Sequence, residues 1–386
     1  MVRCTTARVD LQALEDNFRA ISSYLHDEVR LNRGAGHGPV LSPGIIAVVK
    51  ANAYGHGARR AAQTLEAAGA IVLAVADIEE GVDLRRAGVR APILIFGALS
   101  VSDLDGVFDH ALTPTISSPA AGAALQKAAL ARRTTLHYHL KIDTGMNRLG
   151  FRHDNLRRTV PQLLSSENLV LDAVHTHFGT AEEPDNPLFG EQRDRFEQAC
   201  VAIGELGAGP RLRHAANSAA LLRDSRVWYD FVRPGLLLYG LVPPPLGSTL
   251  TLKPVMSLTS QVVAVKGVRV GEGVGYGGRF RAGRATTLAV IPAGYADGLD
   301  RRLEGAGAVL IRGRRAPIVG AVSMDMLTAD VTDIDTVGPG DEVVLIGSQG
   351  TAPQQTIDAR EMAAWIGTIP YEVLCRLGSR VERKYD

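Results

Sequence analysis

Apolar residues follow two rhythms along this chain, and the rhythm changes once. Up to about residue 240, short unbroken apolar runs alternate with stretches of helical spacing. The runs at 45–49, 71–75, 92–96, 112–116, 136–142, 170–175, 212–216 and 236–239 read as strands buried on both faces, as in a parallel sheet. Between them, Ala/Leu/Arg/Glu-rich stretches such as 57–69, 78–87, 119–132 and 190–206 carry glycines near their ends and read as helices. This alternation predicts an N-terminal (β/α)8 TIM-type barrel, with a doubly wound sheet as second choice.

The rhythm breaks at Pro243-Pro244-Pro245-Leu246-Gly247, a run that fits neither a helix interior nor a central strand and reads as a linker. Beyond it lie β-rich runs at 255–266, 286–291, 307–312, 316–321 and 342–346, separated by Gly-rich turns, with helix only at 358–366. That pattern predicts a mostly antiparallel β domain. The expected division is a barrel over 11–244 and a C-terminal β domain over 245–386. Within segment 1–10, the β-like stretch 6–10 can pair with the second domain instead of the barrel.

Composition narrows the partners. The chain has 386 residues, 46% of them hydrophobic and 22% charged, as in an ordinary globular protein. A formal net charge of +1 gives no field favouring nucleic acid or an anionic membrane. No apolar stretch is long enough to span a bilayer, and no apolar h-region follows Met1. Cys4, Cys200 and Cys375 are odd in number and far apart, which favours a reducing cytoplasm over a disulfide frame or zinc site.

Candidate chemistry gathers where barrel strands end. The apolar run 45–49 leads straight into Lys50, followed by Ala51-Asn52-Ala53-Tyr54-Gly55-His56-Gly57. Barrels place their chemistry at such strand ends, and burial lowers a lysine pKa by disfavouring the ammonium. A lysine poised that way attacks carbonyls, including the aldehyde of pyridoxal 5'-phosphate (PLP). The competing reading is a solvated lysine capping a strand.

Arg148, just beyond the run 136–142, can grip a carboxylate bidentately or pair with a surface acid. His175-Thr176-His177 ends another run, and alternation would send both histidines to one side. Such a pair can hold a metal, with His214 and Asp297 as further ligands, or can simply be hydrogen-bonded. Asn217-Ser218 and Arg233-Pro234-Gly235-Leu236 fall at late strands, where barrels commonly hold phosphate through backbone N–H groups and a hydroxyl. Residues 273–278 match G-x-G-x-x-G, but a β run follows instead of a helix, so a glycine-rich loop exposing Tyr276 is the better reading.

Several motifs then converge: AVVKANAYGHG (47–57), KIDTGMNRLG (141–150), HTHF (175–178), ANSAA (216–220), VRPGLLLYG (232–240), GVGYGG (273–278), GYADGLDR (294–301), SMDM (323–326) and PYEVLC (370–375). In this order and over nearly the whole chain, they resemble alanine racemase, a PLP enzyme of the barrel-plus-β-domain type. The resemblance implies that Lys50 bonds to the cofactor aldehyde and is one of two acid/base groups. Tyr276, reaching in from the partner of a head-to-tail homodimer, is implied as the other.

By the same resemblance, Arg233 faces the pyridine nitrogen and His177 links it to Tyr276. Tyr54, Asn217, Ser218, Gly235, Leu236 and Tyr371 surround the cofactor and its phosphate. Arg148 faces the substrate carboxylate and is oriented by Lys141. Met324 and Asp325 complete the substrate side, and Tyr295 and Arg301 line the entrance. No metal is implied, and the activity would be cytoplasmic interconversion of L- and D-alanine for peptidoglycan. The chain departs from the family at Ser323 and Met326, where Cys and Gln are usual. Three alternatives remain at this point: a racemase of broader amino-acid specificity, a metal-dependent barrel hydrolase, and a non-enzymatic PLP-binding protein resembling the barrel alone.

Overall fold

A computed structural model describes residues 4–31, 42–99, 104–351 and 353–386. The chain divides into two compact units. One comprises Leu14–Ala53 and Ala58–Lys253; the other comprises the residues up to Ala13, Tyr54–Gly57 and Pro254–Asp386.

The first unit is a closed parallel barrel. Its strands are β2 (Gly44–Val48), β3 (Val72–Val75), β4 (Ile93–Ile95), β5 (Thr113–Ile116), β6 (Leu136–Asp143), β8 (Leu169–His175), β9 (Leu212–Asn217) and β10 (Phe231–Arg233). A two-residue strand, β7 (Phe151–Arg152), attaches to the end of β6. Each barrel strand pairs with the next, β5 joins β6, and β10 returns to β2 with Phe231 opposite Gly44. A Cβ on Gly44 would lie 2.4 Å from the Phe231 ring, so the ring packs over this glycine at the closing seam.

The apolar runs form these strands because they are covered on both sides: Ile45 to Val49 are all buried. Helices Ala58–Ala67, Ile78–Arg86, Pro119–Arg132 and Leu188–Glu205 fall where helical spacing predicts them. Ser118 starts one of them, its Oγ accepting the Ala121 N–H, with Pro119 in the first turn where its missing N–H costs nothing.

One strand differs from expectation. Residues Leu236–Tyr239 are buried and apolar, but they form a 3-10 helix, and the eighth strand is the shorter Phe231–Arg233. Periodicity cannot separate a short buried helix from a buried strand, and Pro234 ends the real strand by withholding a ladder donor.

The second unit is mostly antiparallel sheet. Its strands are β1 (Thr6–Val9), β11 (Met256–Gln261), β12 (Ala264–Val268), β13 (Gly273–Val274), β14 (Phe280–Arg281), β15 (Thr286–Ile291), β16 (Ala308–Ile311), β17 (Arg314–Pro317), β18 (Leu327–Asp330), β19 (Glu342–Gln349), β20 (Gln355–Ile357) and β21 (Glu382–Tyr385). The largest sheet runs β17-β16-β19-β11-β1-β21, with β20 on β19. Strand β1 lies antiparallel to β11 and parallel to β21. A second sheet runs β12-β15-β18, and β13 pairs with β14 as a hairpin. The run 255–266 is thus two strands broken after Gln261, and the run 316–321 contributes only its first residues, to β17.

Candidate active site

The barrel presents its chemistry at the carboxyl ends of the strands. Lys50 follows β2, Lys141 lies on β6, His175 ends β8, Asn217 ends β9 and Arg233 ends β10. Immediately after Lys50, Ala51, Asn52, Ala53 and Tyr54 adopt left-handed backbone in succession, with φ of 52, 54, 54 and 53°. For L-residues this costs roughly 1–2 kcal/mol each. The turn persists because its polar groups are met. The Ala53 N–H donates to Val49 O (2.8 Å), the Ala51 N–H to Glu80 Oε1 (2.7 Å), and Asn52 Oδ1 accepts the Ala58 N–H (2.8 Å). This strain is concentrated beside Lys50, the kind of outlier that clusters at functional sites.

Arg233 is the centre of the barrel network, only 4% exposed. Its Nη2 donates to the carbonyls of Thr176 (2.9 Å) and Ala215 (2.9 Å) and to His177 Nδ1 (3.2 Å); its Nη1 donates to His214 Nδ1 (3.0 Å). Its Nε–H makes no hydrogen bond, and no carboxylate pairs with it, among the described residues. Burial pulls the guanidinium down to about 9, so it is still a cation at neutral pH.

Because guanidinium only donates, these bonds fix the histidine tautomers. His214 must accept at Nδ1 and so carries its proton on Nε2, which lies 3.0 Å from His139 Nδ1. His177 likewise accepts at Nδ1, leaving its Nε2–H to donate elsewhere.

Positive charge dominates here. Burial holds the Lys141 ammonium well below the ordinary lysine range, reinforced by Arg233, Arg148 and Lys50, while Asp143 alone opposes. Burial first, and then the neighbouring cations, keep His175, His177 and His214 well below the usual imidazole range; burial pushes His139 down to about 4. His175 stacks on His214 at 4.6 Å and 11°, and its Nδ1 is a buried polar atom without a partner. Three basic side chains and one carboxylate, Asp143, thus surround Lys141.

The late strands supply a cradle. Asn217 Oδ1 caps the short helix Ser218–Arg223 by accepting the Ala220 N–H (2.9 Å). Ser218 Oγ accepts the N–H of Gly235 (2.9 Å) and, more weakly, of Leu237 (3.4 Å), leaving its own O–H to donate. Leu236 is fully buried beside them. Of the other predicted barrel residues, Lys50, Lys141 and His177 are half-buried and Arg148 is exposed.

In the second unit, Tyr54 is buried with its ring 5.8 Å from that of Tyr371. Burial, with Cys375 adding to it, raises the Tyr54 phenol far above its ordinary value. Tyr276 sits in the turn of the β13–β14 hairpin and is 76% exposed. Met324 (52%), Met326 (47%) and Tyr295 are exposed too, as is Arg301.

Ser323 Oγ donates to Met326 O and accepts the Met326 N–H, making a tight turn that presents Met324 and Asp325. That turn hangs on the neighbouring segment through Tyr295 N–H to Ser323 O (3.0 Å) and Ala296 N–H to Met324 O (3.1 Å). The approach is so close that a Cβ on Gly294 would lie 2.4 Å from both carbonyl oxygens. Arg380 joins Asp325 to the buried Asp297.

The two histidines nominated for metal binding have other neighbours. His175 points into the histidine stack and His177 onto Arg233, while Asp297 accepts the Gly294 N–H (3.0 Å) in the second unit. Among the described residues, no group of three His, Cys, Asp or Glu side chains is placed to hold a metal. Sequence reasoning passed over His139 and gave His214 only a metal role. The alternation His137-Tyr138-His139-Leu140-Lys141 carried the missing signal, since period two puts His139 on the face of Lys141.

Comparison with known proteins agrees with this geometry. Residues 9–243 match the family model described as alanine racemase, N-terminal domain, and residues 255–385 match alanine racemase, C-terminal domain. The alanine racemase of Carboxydothermus hydrogenoformans is 41% identical over 389 residues, covering all of both chains. The alanine racemase of Bacillus anthracis, solved with bound L-Ala-P, superposes with a TM-score of 0.89 at 34% identity, covering 100% of this chain and 96% of that one. That of Bartonella henselae, solved with covalently bound pyridoxal phosphate, gives a TM-score of 0.85 at 28% identity over 99% of both. The two family models, matching 9–243 and 255–385 in turn, and the full-length relative at 41% identity place this chain in the alanine racemase family.

Proposed function

We propose that this protein interconverts L- and D-alanine with PLP as cofactor, supplying D-alanine for peptidoglycan. The observation that carries the reading is Arg233: a buried cation wired to His177 and His214, with no carboxylate partner among the described residues, in a barrel whose first strand leads into Lys50.

The residues fit the cofactor. Lys50 would hold its aldehyde carbon. Ser218 O–H and backbone groups around Gly235 and Leu236 would hold the phosphate, with Asn217 fixing the helix start. Tyr54 and Tyr371 are assigned to the phosphate side. Arg233 would offer its Nε–H to the pyridine nitrogen and, as a permanent cation, cannot take up a proton from it. PLP, when bound, condenses with the substrate amine and acidifies the Cα–H.

The chain's own groups then move the proton. Inversion requires removing it from one face of Cα and returning it to the other. Lys50 Nζ serves one face and Tyr276 Oη the other. A phenol near pH 7 needs a donor to its oxygen to act as a base. His177 can be that donor, because Arg233 occupies its Nδ1 and leaves Nε2–H free to point outward. Arg148 receives the substrate carboxylate, with Lys141 orienting it. Met324 and Asp325 close the substrate side, while Tyr295 and Arg301 line the entrance.

The reading includes a head-to-tail homodimer with Tyr276 acting on its partner's barrel. Support comes from the exposure of Tyr276, Met324, Met326 and Tyr295 on one unit. It also places the enzyme in the cytoplasm, consistent with Cys4, Cys200 and Cys375 forming no disulfide and with no helix, among the described residues, long and apolar enough to cross a membrane. The functional division is a cofactor-binding barrel over 11–244 and a β domain over 245–386.

Proton NMR of the protein with PLP and L-alanine in D2O, with a chiral assay of the same sample, tests the reading. Loss of the Cα–H signal together with D-alanine is expected. Exchange without inversion would overturn racemisation.

A further inference from the structure

We infer that Glu80 is the positioning residue for Lys50, a role that rests on the function proposed above. Glu80 lies in the first turn of the helix Ile78–Arg86, where its own N–H is capped by Asp77 Oδ1 (2.9 Å). A glutamate at that helix position ordinarily turns back to the backbone N–H of the capping residue. Here the carboxylate is used differently. Oε2 accepts the N–H of Ala76, just past the end of β3 (2.8 Å), and Oε1 accepts the N–H of Ala51 (2.7 Å).

One rigid carboxylate thus ties the exit of β3 to the exit of β2. The Ala51 N–H belongs to the peptide that follows Lys50. Holding that peptide sets its plane, and the plane sets the direction in which Lys50 leaves the backbone. The clamp is needed because the chain departs from β2 into four successive left-handed residues. Nothing in their intrinsic preferences holds that shape, so the first peptide of the turn must be held from outside.

Two further bonds guard the turn, from Asn52 Oδ1 to the Ala58 N–H and from the Ala53 N–H to Val49 O. The first acts beyond Ala51, and the second closes the turn from Ala53 back to Val49. Glu80 meets the N–H of the peptide that joins Lys50 to the turn.

The test compares wild type with Glu80→Ala and Glu80→Gln, the amide keeping only one acceptor oxygen. Three quantities are read: deuterium exchange at the Ala51 amide in the apoenzyme, affinity of the apoenzyme for PLP by its visible absorbance, and kcat and KM for both alanine enantiomers. Glu80→Ala should exchange faster at Ala51 and bind PLP more weakly. Because small misplacements of a reacting group are costly, its kcat should fall by about tenfold or more in both directions with KM little changed. Glu80→Gln should lie between, and it carries the test if Glu80→Ala does not fold.

A purely structural clamp would lower the melting temperature and leave kcat and PLP affinity at wild-type values; that result overturns the inference. Borohydride reduction of wild-type holoenzyme and peptide mapping separate the two levels. If PLP is fixed on Lys50 and the Glu80 variants are unaltered, this inference alone fails. If PLP is fixed elsewhere or not at all, the proposed function fails and takes this inference with it.

Discussion

The candidate groups of the barrel and those of the β domain are built in opposite ways. Arg233 is buried and satisfied from four directions, His214 and His177 take their tautomers from it, and Lys50 leaves a turn pinned by Glu80. Tyr276, by contrast, stands on a short glycine-rich hairpin and is mostly in solvent, while Met324 and Met326 are about half exposed. The barrel prepares its groups within one chain. The β domain offers a tyrosine exposed on a hairpin. As the proposed second base it would gain its environment only when something covers that surface, and the proposed cover is the barrel of a second copy.

Breaking each side in turn gives a ranked set of outcomes. Lys50→Ala removes both the cofactor link and one acid/base group, so racemisation in both directions should vanish in a chiral assay. Activity at wild-type level would end the account. Tyr276→Phe should lower proton abstraction from one enantiomer by about 10²–10⁴-fold, the usual worth of a positioned base. Isotope exchange from L- and D-alanine separately would show this asymmetry; small and equal effects would remove Tyr276 from the chemistry. Arg233→Glu places an acid where the pyridine nitrogen is expected. It should slow racemisation and produce a persistent visible band during turnover, and the absence of such a band would defeat the argument for a cation there.

A smaller effect probes the barrel alone. His139 is held at about 4 against an ordinary value of 6.5. The unfolded chain therefore binds a proton that the fold refuses between those values. The stability from keeping His139 neutral is fully present above about pH 6.5 and is lost as pH falls toward 4, by about 3 kcal/mol in all. His175, His177 and His214, shifted the same way, steepen the loss. Denaturation midpoints at pH 7 and pH 5 measure it, and His139→Gln should flatten the slope.

The smallest perturbation sharpens the other side. Met326→Glu puts a charge on the exposed surface without touching the barrel network. It should weaken self-association in sedimentation while leaving PLP uptake intact.

How far the sequence reveals these two halves follows from range. Strands β2 to β6, β8 and β9 are legible because each is a local apolar run, and the helices predicted between them because each has its own periodicity. The eighth strand is not. Leu236-Leu237-Leu238-Tyr239 is the better apolar run, yet the three-residue segment ending at Arg233 completes the barrel. That choice is made by closure onto Gly44 and Ile45, far away in sequence.

Lys50, Arg233 and Tyr276 can be picked out because motifs surround them. The wiring among His139, His175 and His214 cannot, since these residues come from three different strands and meet only in the folded barrel. Glu80 is hidden for a different reason. Its local pattern, Asp77 followed by Glu80, is that of an ordinary helix start, and only the fold shows one carboxylate oxygen reaching across to Ala51.

The most direct test of the division between barrel and hairpin mixes two dead enzymes. Lys50→Ala and Tyr276→Phe subunits, carrying different affinity tags, are co-expressed and the mixed dimer is isolated. If Tyr276 serves its partner's barrel, one of the two sites in the mixed dimer pairs an intact Lys50 with an intact Tyr276. Activity should then return to about half that of wild type per dimer. A mixed dimer, verified by both tags and loaded with PLP, that remains inactive would contradict the account.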